Sequence, residues 1–129
     1  MALVVQDTNS LKGISYLFVY GSLKKGFSNS YYLEKEFFIG KAKTLKKYAM
    51  YQYPRSTFPY LTKEEKVYIQ GELYKVKTLK EIDILEEAPN FYFREVIDIK
   101  INNKIVQAWV YFIKEKPKEK TILLKEWKE

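Results

Sequence analysis

The side chains of this chain that could transfer a proton are carboxylates, amines and phenols, because the sequence contains no histidine and no cysteine. Nucleophile pairs of the Ser–His and Cys–His kind are therefore excluded, and so are metal sites built on histidine or thiolate ligands. Any general base has to be Asp, Glu, Lys, Tyr or a chain terminus. The acidic segment IDILEE at 82–87 contains the strongest candidates for that role.

Glu86 is the carboxylate of this segment that a predicted helix at 79–87 turns toward the protein interior. At about 100° per residue, three apolar residues of the helix share one face, and Glu86 falls within that face while Glu87 faces water. Burial raises the pKa of a carboxyl group, which suits a proton shuttle near neutral pH. The alternative is that Glu86 merely ends the helix and pairs with Arg94 or Lys80. The residues alone leave both interpretations open.

The segment YLFVYGSLKKG at 16–26 joins a run of apolar and aromatic residues to a glycine turn. The turn contains no acid and no histidine, so it can hold a ligand but cannot supply the general acid or base. Its two glycines have the spacing of a phosphate-binding P-loop, but Phe27 stands where that motif requires lysine. We therefore expect a binding loop that works with an acidic residue from another part of the chain.

The elements that must position these residues follow from periodicity and turn signals. Strands are expected at 14–20, 41–53, 67–76, 94–101 and 105–114. Helices are expected at 32–40, at 79–87 after a Thr78–Glu81 capping box, and as a short tail at the C-terminus. Residues 54–66, with two prolines, are expected to form a loop or a bent edge.

These elements predict an α+β fold, with a mixed, strongly curled β-sheet or small barrel and a few short helices. A chain of 129 residues is long enough for one core and one domain. We expect an N-terminal extension at 1–13 and a single domain at 14–129, with a charged C-terminal tail from about residue 114. Gly71 is expected at a β-bulge or a close contact, and Asn102–Asn103 at a two-residue type I′ hairpin turn.

Composition restricts the possible partners. The net charge of +7 points toward nucleic acid, but only Arg55 and Arg94 are arginine, and the many lysines are mixed with glutamates, as in KEKPKEK. Since arginine is the residue of bidentate phosphate and base recognition, this pattern argues against nucleic acid as a partner. No apolar run approaches the roughly 20 residues of a membrane span. The start of the sequence lacks the features of a signal peptide, and the absence of cysteine fits a cytoplasmic protein.

Two motifs together resemble the γ-glutamylcyclotransferase-like superfamily, in particular its γ-glutamylamine cyclotransferase and AIG2-like branch. VYGSL at 19–23 matches the Tyr-Gly-[Ser/Thr]-Leu that follows the first strand in that branch. IDILEEAPNFYFRE at 82–95 matches its Asp-x-x-Glu motif with Pro, Tyr and Arg at the same spacing. The resemblance covers about residues 16–113. The chain departs from many members at Glu87, where they have glycine, and a glycine there should be tolerated at a small cost in helix stability.

The resemblance implies a γ-glutamylcyclotransferase-like fold and the conversion of a γ-glutamyl amine or peptide to 5-oxoproline and a free amine. It implies that backbone N–H groups of the glycine loop hold the γ-glutamyl part, that Glu86 is the general acid and base, and that neither a cofactor nor a metal takes part. The substrate-binding residues it implies are Tyr20, Gly21, Ser22, Leu23 and Tyr92. Asp83 and Arg94 are expected to support the site, with Arg94 as an ion-pair partner for Asp83.

Two other classes of function stay open on the sequence. One is a non-catalytic module of the same fold that binds a small molecule. The other is a basic nucleic-acid-binding domain. Among enzymes, the partner is a small-molecule γ-glutamyl substrate, and the sequence does not identify the amine it carries.

Overall fold

The computed structural model describes residues 15–129 and the backbone of a short strand at 4–6. Its strands are β1 Val4–Gln6, β2 Ser15–Val19, β3 Phe37–Thr44, β4 Tyr48–Gln52, β5 Pro59–Val67, β6 Gln70–Val76, β7 Tyr92–Ile101, β8 Lys104–Ile113 and β9 Leu123–Leu124. The helices are a 3-10 helix at Ser30–Leu33 and α1 at Lys80–Leu85. In the part of the chain described here, neither helix has the length and apolar character needed to cross a bilayer.

Five of the strands close into a barrel. The strand order is β8-β2-β6-β3-β7, and the last strand, β7, pairs with the first, β8, through ten residue pairs, which closes the sheet. The pairs are antiparallel except that β2 runs parallel to β8, as β1 also does on the same sheet. A separate sheet of three strands has the order β5-β4-β9. This closed sheet with few short helices confirms the predicted curled sheet or small barrel.

Strand β2 is buried on both of its faces, which explains why its sequence shows no alternation. Tyr16 and Phe18 pack into one apolar cluster, while Leu17 and Val19 pack into a second cluster on the opposite side. A strand covered on both faces is a continuous apolar run rather than an alternating one. The glycine loop therefore starts from one of the most firmly packed strands of the fold.

Gly71 lies at a close contact, as predicted. A Cβ atom at this position of β6 would collide with the carbonyl oxygen of Val19 and would lie 2.6 Å from the ring of Phe18. The missing side chain allows β6 to approach the end of β2. The two-residue hairpin connection at Asn102–Asn103 is also confirmed, since Ile101 pairs with Lys104 across it. The type I′ geometry is wrong, because of these two residues only Asn102 has a positive φ, 54°.

Several local predictions are wrong because strand pairing decides the structure there. The predicted helix at 32–40 is reduced to Ser30–Leu33, and β3 begins at Phe37. The predicted strand at 41–53 is two strands, β3 and β4. The prediction of a loop or a bent edge at 54–66 is correct in its second form, because β5 lies at the edge of the three-stranded sheet and begins at a proline, where the missing N–H is tolerated. Helical spacing is a weak local preference, and pairing of β3 with β6 overrides it.

Both ends of the chain contain a strand where the sequence predicts only an extension and a charged tail. The predicted N-terminal extension 1–13 contains β1, and its other residues lie outside the described part of the chain. The predicted tail helix is wrong. Residues 114–129 contain β9, which pairs with β4, and they place Trp127 in the core. An apolar indole that finds a buried site gains more than a short exposed helix offers.

Candidate active site

The two predicted motifs meet at one narrow cavity of about 40 Å³. The glycine loop supplies one wall, and the end of α1 and the start of β7 supply others. Six of the predicted site residues line it, namely Tyr20, Gly21, Ser22, Leu23, Glu86 and Tyr92. Phe18, Val19, Phe58, Pro59 and Tyr111 complete the lining. Asp83 and Arg94 lie outside the lining, and the hydrogen bonds among Asp83, Arg94 and Tyr111 reach it at Tyr111.

The glycine loop is held in a compact turn. Lys24 N donates to Gly21 O at 3.1 Å, and Asn29 binds Ser22 twice, from its backbone N to Ser22 O at 2.8 Å and from Nδ2 to Ser22 Oγ at 2.7 Å. No described residue accepts a hydrogen bond from the N–H groups of Gly21, Ser22 or Leu23. Successive backbone N–H groups without an acceptor can bind a carboxylate or a developing oxyanion.

Gly21 brings the loop against the opposite wall of the cavity. A Cβ atom at this position would lie 3.0 Å from Pro59 Cγ and 3.2 Å from its Cδ. Glycine therefore leaves the room between the loop and β5 that a side chain would fill. Pro59 is itself fixed from the other side, because the Tyr92 hydroxyl donates to its carbonyl oxygen at 2.8 Å.

Glu86 supplies the carboxyl group among the residues that line the cavity. Burial raises its pKa from 4.5 to about 7. Its backbone N donates to Ile82 O at 2.9 Å and ends α1, while its carboxylate forms no hydrogen bond or ion pair with any residue the structure describes. The alternative that Glu86 pairs with Arg94 or Lys80 is therefore wrong. A carboxyl group that titrates near neutrality and has no fixed partner can take up and return a proton.

Three tyrosines surround the Glu86 carboxylate. Burial raises the pKa of the phenols of Tyr20, Tyr92 and Tyr111, and the nearby charge of Glu86 raises the pKa of each one further. The phenols thus stay protonated near neutral pH. All three donate elsewhere: Tyr20 to Tyr111 O at 2.7 Å, Tyr92 to Pro59 O at 2.8 Å, and Tyr111 to an Asp83 oxygen at 2.6 Å.

Asp83 is the centre of a hydrogen-bond network that fixes α1. Arg94 donates to it from Nε at 2.9 Å and from Nη2 at 3.3 Å, and Tyr111 donates from its hydroxyl at 2.6 Å. The guanidinium of Arg94 lies 4.4 Å from the ring centre of Trp109. Asp83 lies three residues before Glu86, so this network ties α1, the helix that ends at Glu86, to β7 and β8.

Glu87 faces water, as the helical plot predicts, but its backbone differs from the prediction. The helix ends at Leu85, and Glu87 has a φ of 52°, a left-handed conformation in which glycine is favoured. The expected cost of glycine at this position is therefore wrong in sign. The capping box is wrong as well: the N-cap of α1 is Leu79, and Thr78 Oγ1 accepts a hydrogen bond from Lys80 N at 3.2 Å.

The sequence does not identify Tyr111 as a site residue, because an aromatic residue within an apolar strand is expected to lie in the core. The signal that could have identified it is the hydroxyl group, since a tyrosine in a buried strand needs a hydrogen-bond partner. Phe58 and Pro59 of the FPYL segment carried only a weak signal. Among the described residues, no three or more carboxylates lie close enough together to hold a metal ion.

Comparison with known proteins adds an independent line of evidence. The family described as γ-glutamyl cyclotransferase, AIG2-like, matches residues 17–129. A protein of Methanocaldococcus jannaschii, provisionally named a γ-glutamylcyclotransferase, is 48% identical over 107 residues, which are 79% of this chain and 87% of the relative. γ-Glutamylaminecyclotransferase A of Danio rerio is 37% identical over 109 residues, or 74% of this chain and 66% of the relative.

A solved structure supports the fold. The crystal structure of an AIG2-like protein of Mus musculus matches with a TM-score of 0.82 at 22% identity, covering 89% of this chain and 88% of that one. At this identity the likeness bears on the fold alone.

Proposed function

The chain belongs to the AIG2-like γ-glutamyl cyclotransferase family, and we propose that it converts a γ-glutamyl amine or peptide to 5-oxoproline and the free amine. The observation that carries this proposal is a partly buried Glu86 whose carboxylate has no partner among the described residues, across one cavity from the loop at 20–23. The cavity joins a proton-transfer group to backbone donors, and cyclisation needs both.

The glycine loop is proposed to bind the γ-glutamyl part of the substrate. The N–H groups of Gly21, Ser22 and Leu23, which have no acceptor among residues 15–129, suit a carboxylate or the oxygen of the γ-carbonyl. Donors that are already fixed in place stabilise the negative charge that develops on this oxygen during attack. The aromatic ring of Tyr92 forms the neighbouring wall.

Glu86 is proposed as the general acid and base. It removes a proton from the α-ammonium group of the substrate, and the freed nitrogen attacks the γ-carbonyl carbon of the same molecule. The new C–N bond closes the five-membered lactam, the bond to the amine breaks, and Glu86 delivers the proton to the departing nitrogen. The α-ammonium loses a second proton as the lactam forms, and the product amine gains it on becoming an ammonium ion. No water and no cofactor are consumed.

The raised pKa of Glu86 suits both of its proposed steps, which are removal of a proton from the α-ammonium group and delivery of a proton to the departing amine. With a pKa of about 7, the side chain is divided between its acid and base forms at neutral pH. The nucleophile and the electrophile belong to one molecule, so holding them together contributes much of the acceleration. Asp83 and Arg94 are proposed as positioning residues, because they fix α1 without lining the cavity.

The test is a panel of γ-glutamyl amines and γ-glutamyl dipeptides incubated with the purified protein, with 5-oxoproline and released amine measured by mass spectrometry. We expect equal amounts of the two products from at least one substrate. The Glu86→Gln variant is the matched control and should form no lactam above background. Release of glutamate instead of 5-oxoproline would indicate hydrolysis and refute the cyclisation. Binding of a γ-glutamyl compound without turnover would favour a non-catalytic module.

A further inference from the structure

The C-terminal residues 125–129 lie against the segment that follows the glycine loop. Lys24 Nζ donates to the carbonyl oxygen of Trp127 at 2.6 Å. Ser28 donates twice to the Glu129 carboxylate, from its backbone N at 2.8 Å and from Oγ at 3.0 Å. One main-chain carbonyl and one side chain of the tail thus contact the segment at 24–28.

Lys24 is buried to a degree that is unusual for lysine. Only 5% of it is exposed, and its Nζ lies 4.7 Å from the ring centre of Phe27. Burying an ammonium group is costly unless it is hydrogen-bonded, so the bond to the Trp127 carbonyl compensates for much of that cost. Burial also lowers the pKa of Lys24, while the nearby Glu126 and Glu72 charges raise it. The side chain lies outside the cavity and has no part in the proposed proton transfer.

The contact is connected to the substrate loop through short links. Lys24 directly follows Leu23, and its backbone N donates to Gly21 O at 3.1 Å. The next residue, Lys25, is held by a hydrogen bond from its backbone N to a Glu72 oxygen of β6 at 2.7 Å. The loop is therefore fixed on the side facing away from the cavity, where the substrate would not reach it.

The tail is itself anchored to the body of the protein. Lys125 O accepts a hydrogen bond from Gln70 N at 2.8 Å, and the indole of Trp127 is 7% exposed. The first anchor lies two residues before the Trp127 carbonyl, and the second is the side chain of Trp127 itself. The carbonyl oxygen that accepts the Lys24 hydrogen bond is therefore held in place. A mobile tail would not provide a fixed acceptor.

We propose that Lys24 is a positioning residue for the 20–23 loop, and that residues 125–129 act as a strap that holds the loop through the Trp127 carbonyl. The proposal rests on the proposed function, because it assigns this loop to substrate binding. It makes the tail a part of the site, although the tail contributes nothing to the cavity lining.

The first test is Lys24→Met, which keeps the length of the side chain and removes the hydrogen bond. We expect KM to rise roughly tenfold, the size associated with one hydrogen bond to a charged group, and kcat to change less than threefold. The pH at which kcat/KM rises should stay the same, because Glu86 is not touched. Lys118→Met is the matched control, since Lys118 is an exposed lysine of the C-terminal tail outside the strap, and its KM should equal that of the parent protein.

A purely structural role for Lys24 would give a different result. Loss of folded protein would lower the apparent kcat and leave KM unchanged. Deleting residues 127–129 removes the Trp127 carbonyl together with the Glu129 contacts to Ser28, so it should raise KM at least as much as Lys24→Met. Adding Lys24→Met to the deletion should raise KM no further, because the deletion has already removed the partner of Lys24. An unchanged KM in folded Lys24→Met protein, or multiplied effects in the combination, would overturn the proposal.

Hydrogen exchange tests the strap without relying on activity. The amide of Asn29, which is bonded to Ser22 O, should exchange about tenfold faster in Lys24→Met and in the deletion than in the parent or in Lys118→Met. Equal exchange rates in all four proteins would reject the strap. If the parent forms no 5-oxoproline but the exchange rates differ as expected, the proposed function fails while the contact between strap and loop stands.

Discussion

Replacing Glu86 by glutamine should stabilise the protein at high pH while it abolishes lactam formation. A pKa of about 7 in the folded protein, against 4.5 for an exposed glutamate, corresponds to about 3 kcal/mol of unfolding free energy at pH 8. Because the folded pKa is raised, the parent protein has its full stability below pH 4.5 and loses this amount as the pH rises through 7. Glutamine matches the shape of the side chain and carries no charge, so it avoids the loss.

The assay compares thermal unfolding of the parent and of Glu86→Gln from pH 4.5 to pH 8.5. At pH 8 and above, we expect the variant to melt roughly 10 °C higher, using about 3–4 °C per kcal/mol for a domain of this size. Near pH 4.5 the two melting temperatures should converge. Since every other carboxylate is shared by the two proteins, the difference between their curves isolates Glu86.

Turnover should change in the opposite direction. Loss of a general acid and base typically lowers the rate by about 10²–10⁴. In the parent protein, kcat/KM should rise with pH through about 7 as Glu86 becomes available as the base. Glu87→Gln, a change in the exposed neighbour, is the control and should alter neither the melting difference nor the rate.

Two results would refute this reasoning. A melting difference that is the same at every pH would show that Glu86 does not carry a buried charge. Retained turnover in a folded Glu86→Gln protein would move the base elsewhere, with Asp83 as the next candidate.

Three further substitutions test other parts of the structure. Glu87→Gly should leave kcat unchanged and raise the unfolding free energy by up to about 1 kcal/mol, because the φ of 52° strains a residue with a side chain; a clear loss in chemical denaturation would contradict the helix end described here. Gly71→Ala should lower stability by about 2 kcal/mol or more, since its Cβ would lie 2.6 Å from the Phe18 ring; a melting temperature equal to that of the parent would mean that β2 and β6 move apart easily. Tyr111→Phe should reduce kcat several-fold and cost about 1 kcal/mol, because it removes the 2.6 Å hydrogen bond to Asp83; unchanged kinetics would exclude the Asp83 network from the positioning of Glu86.

The features that the sequence alone determined depend on residues close together in the chain. The distinction between Glu86 and Glu87 needs only the helical period, and the exposed position of Glu87 agrees with it. The turn at Asn102–Asn103 depends on two residues between alternating strands. The class of fold follows from the number of strands, and the family from two short motifs in order. Local geometry is encoded locally, so these predictions did not require the partners of each residue.

The features that only the tertiary structure decided involve partners far apart in the chain. The Asp83 carboxylate receives the hydroxyl of Tyr111, 28 residues away, and the Lys24 ammonium donates to Trp127 O, 103 residues away. The backbone of Glu87 is set by the turn from α1 into β7. Burial, a hydrogen-bond partner and a raised pKa are properties of the packed surroundings, and no local pattern in the sequence contains them. For this reason the sequence could indicate Glu86 as a base, while only the fold placed it, mostly buried and without a side-chain partner in the described part of the chain, across a cavity from the glycine loop.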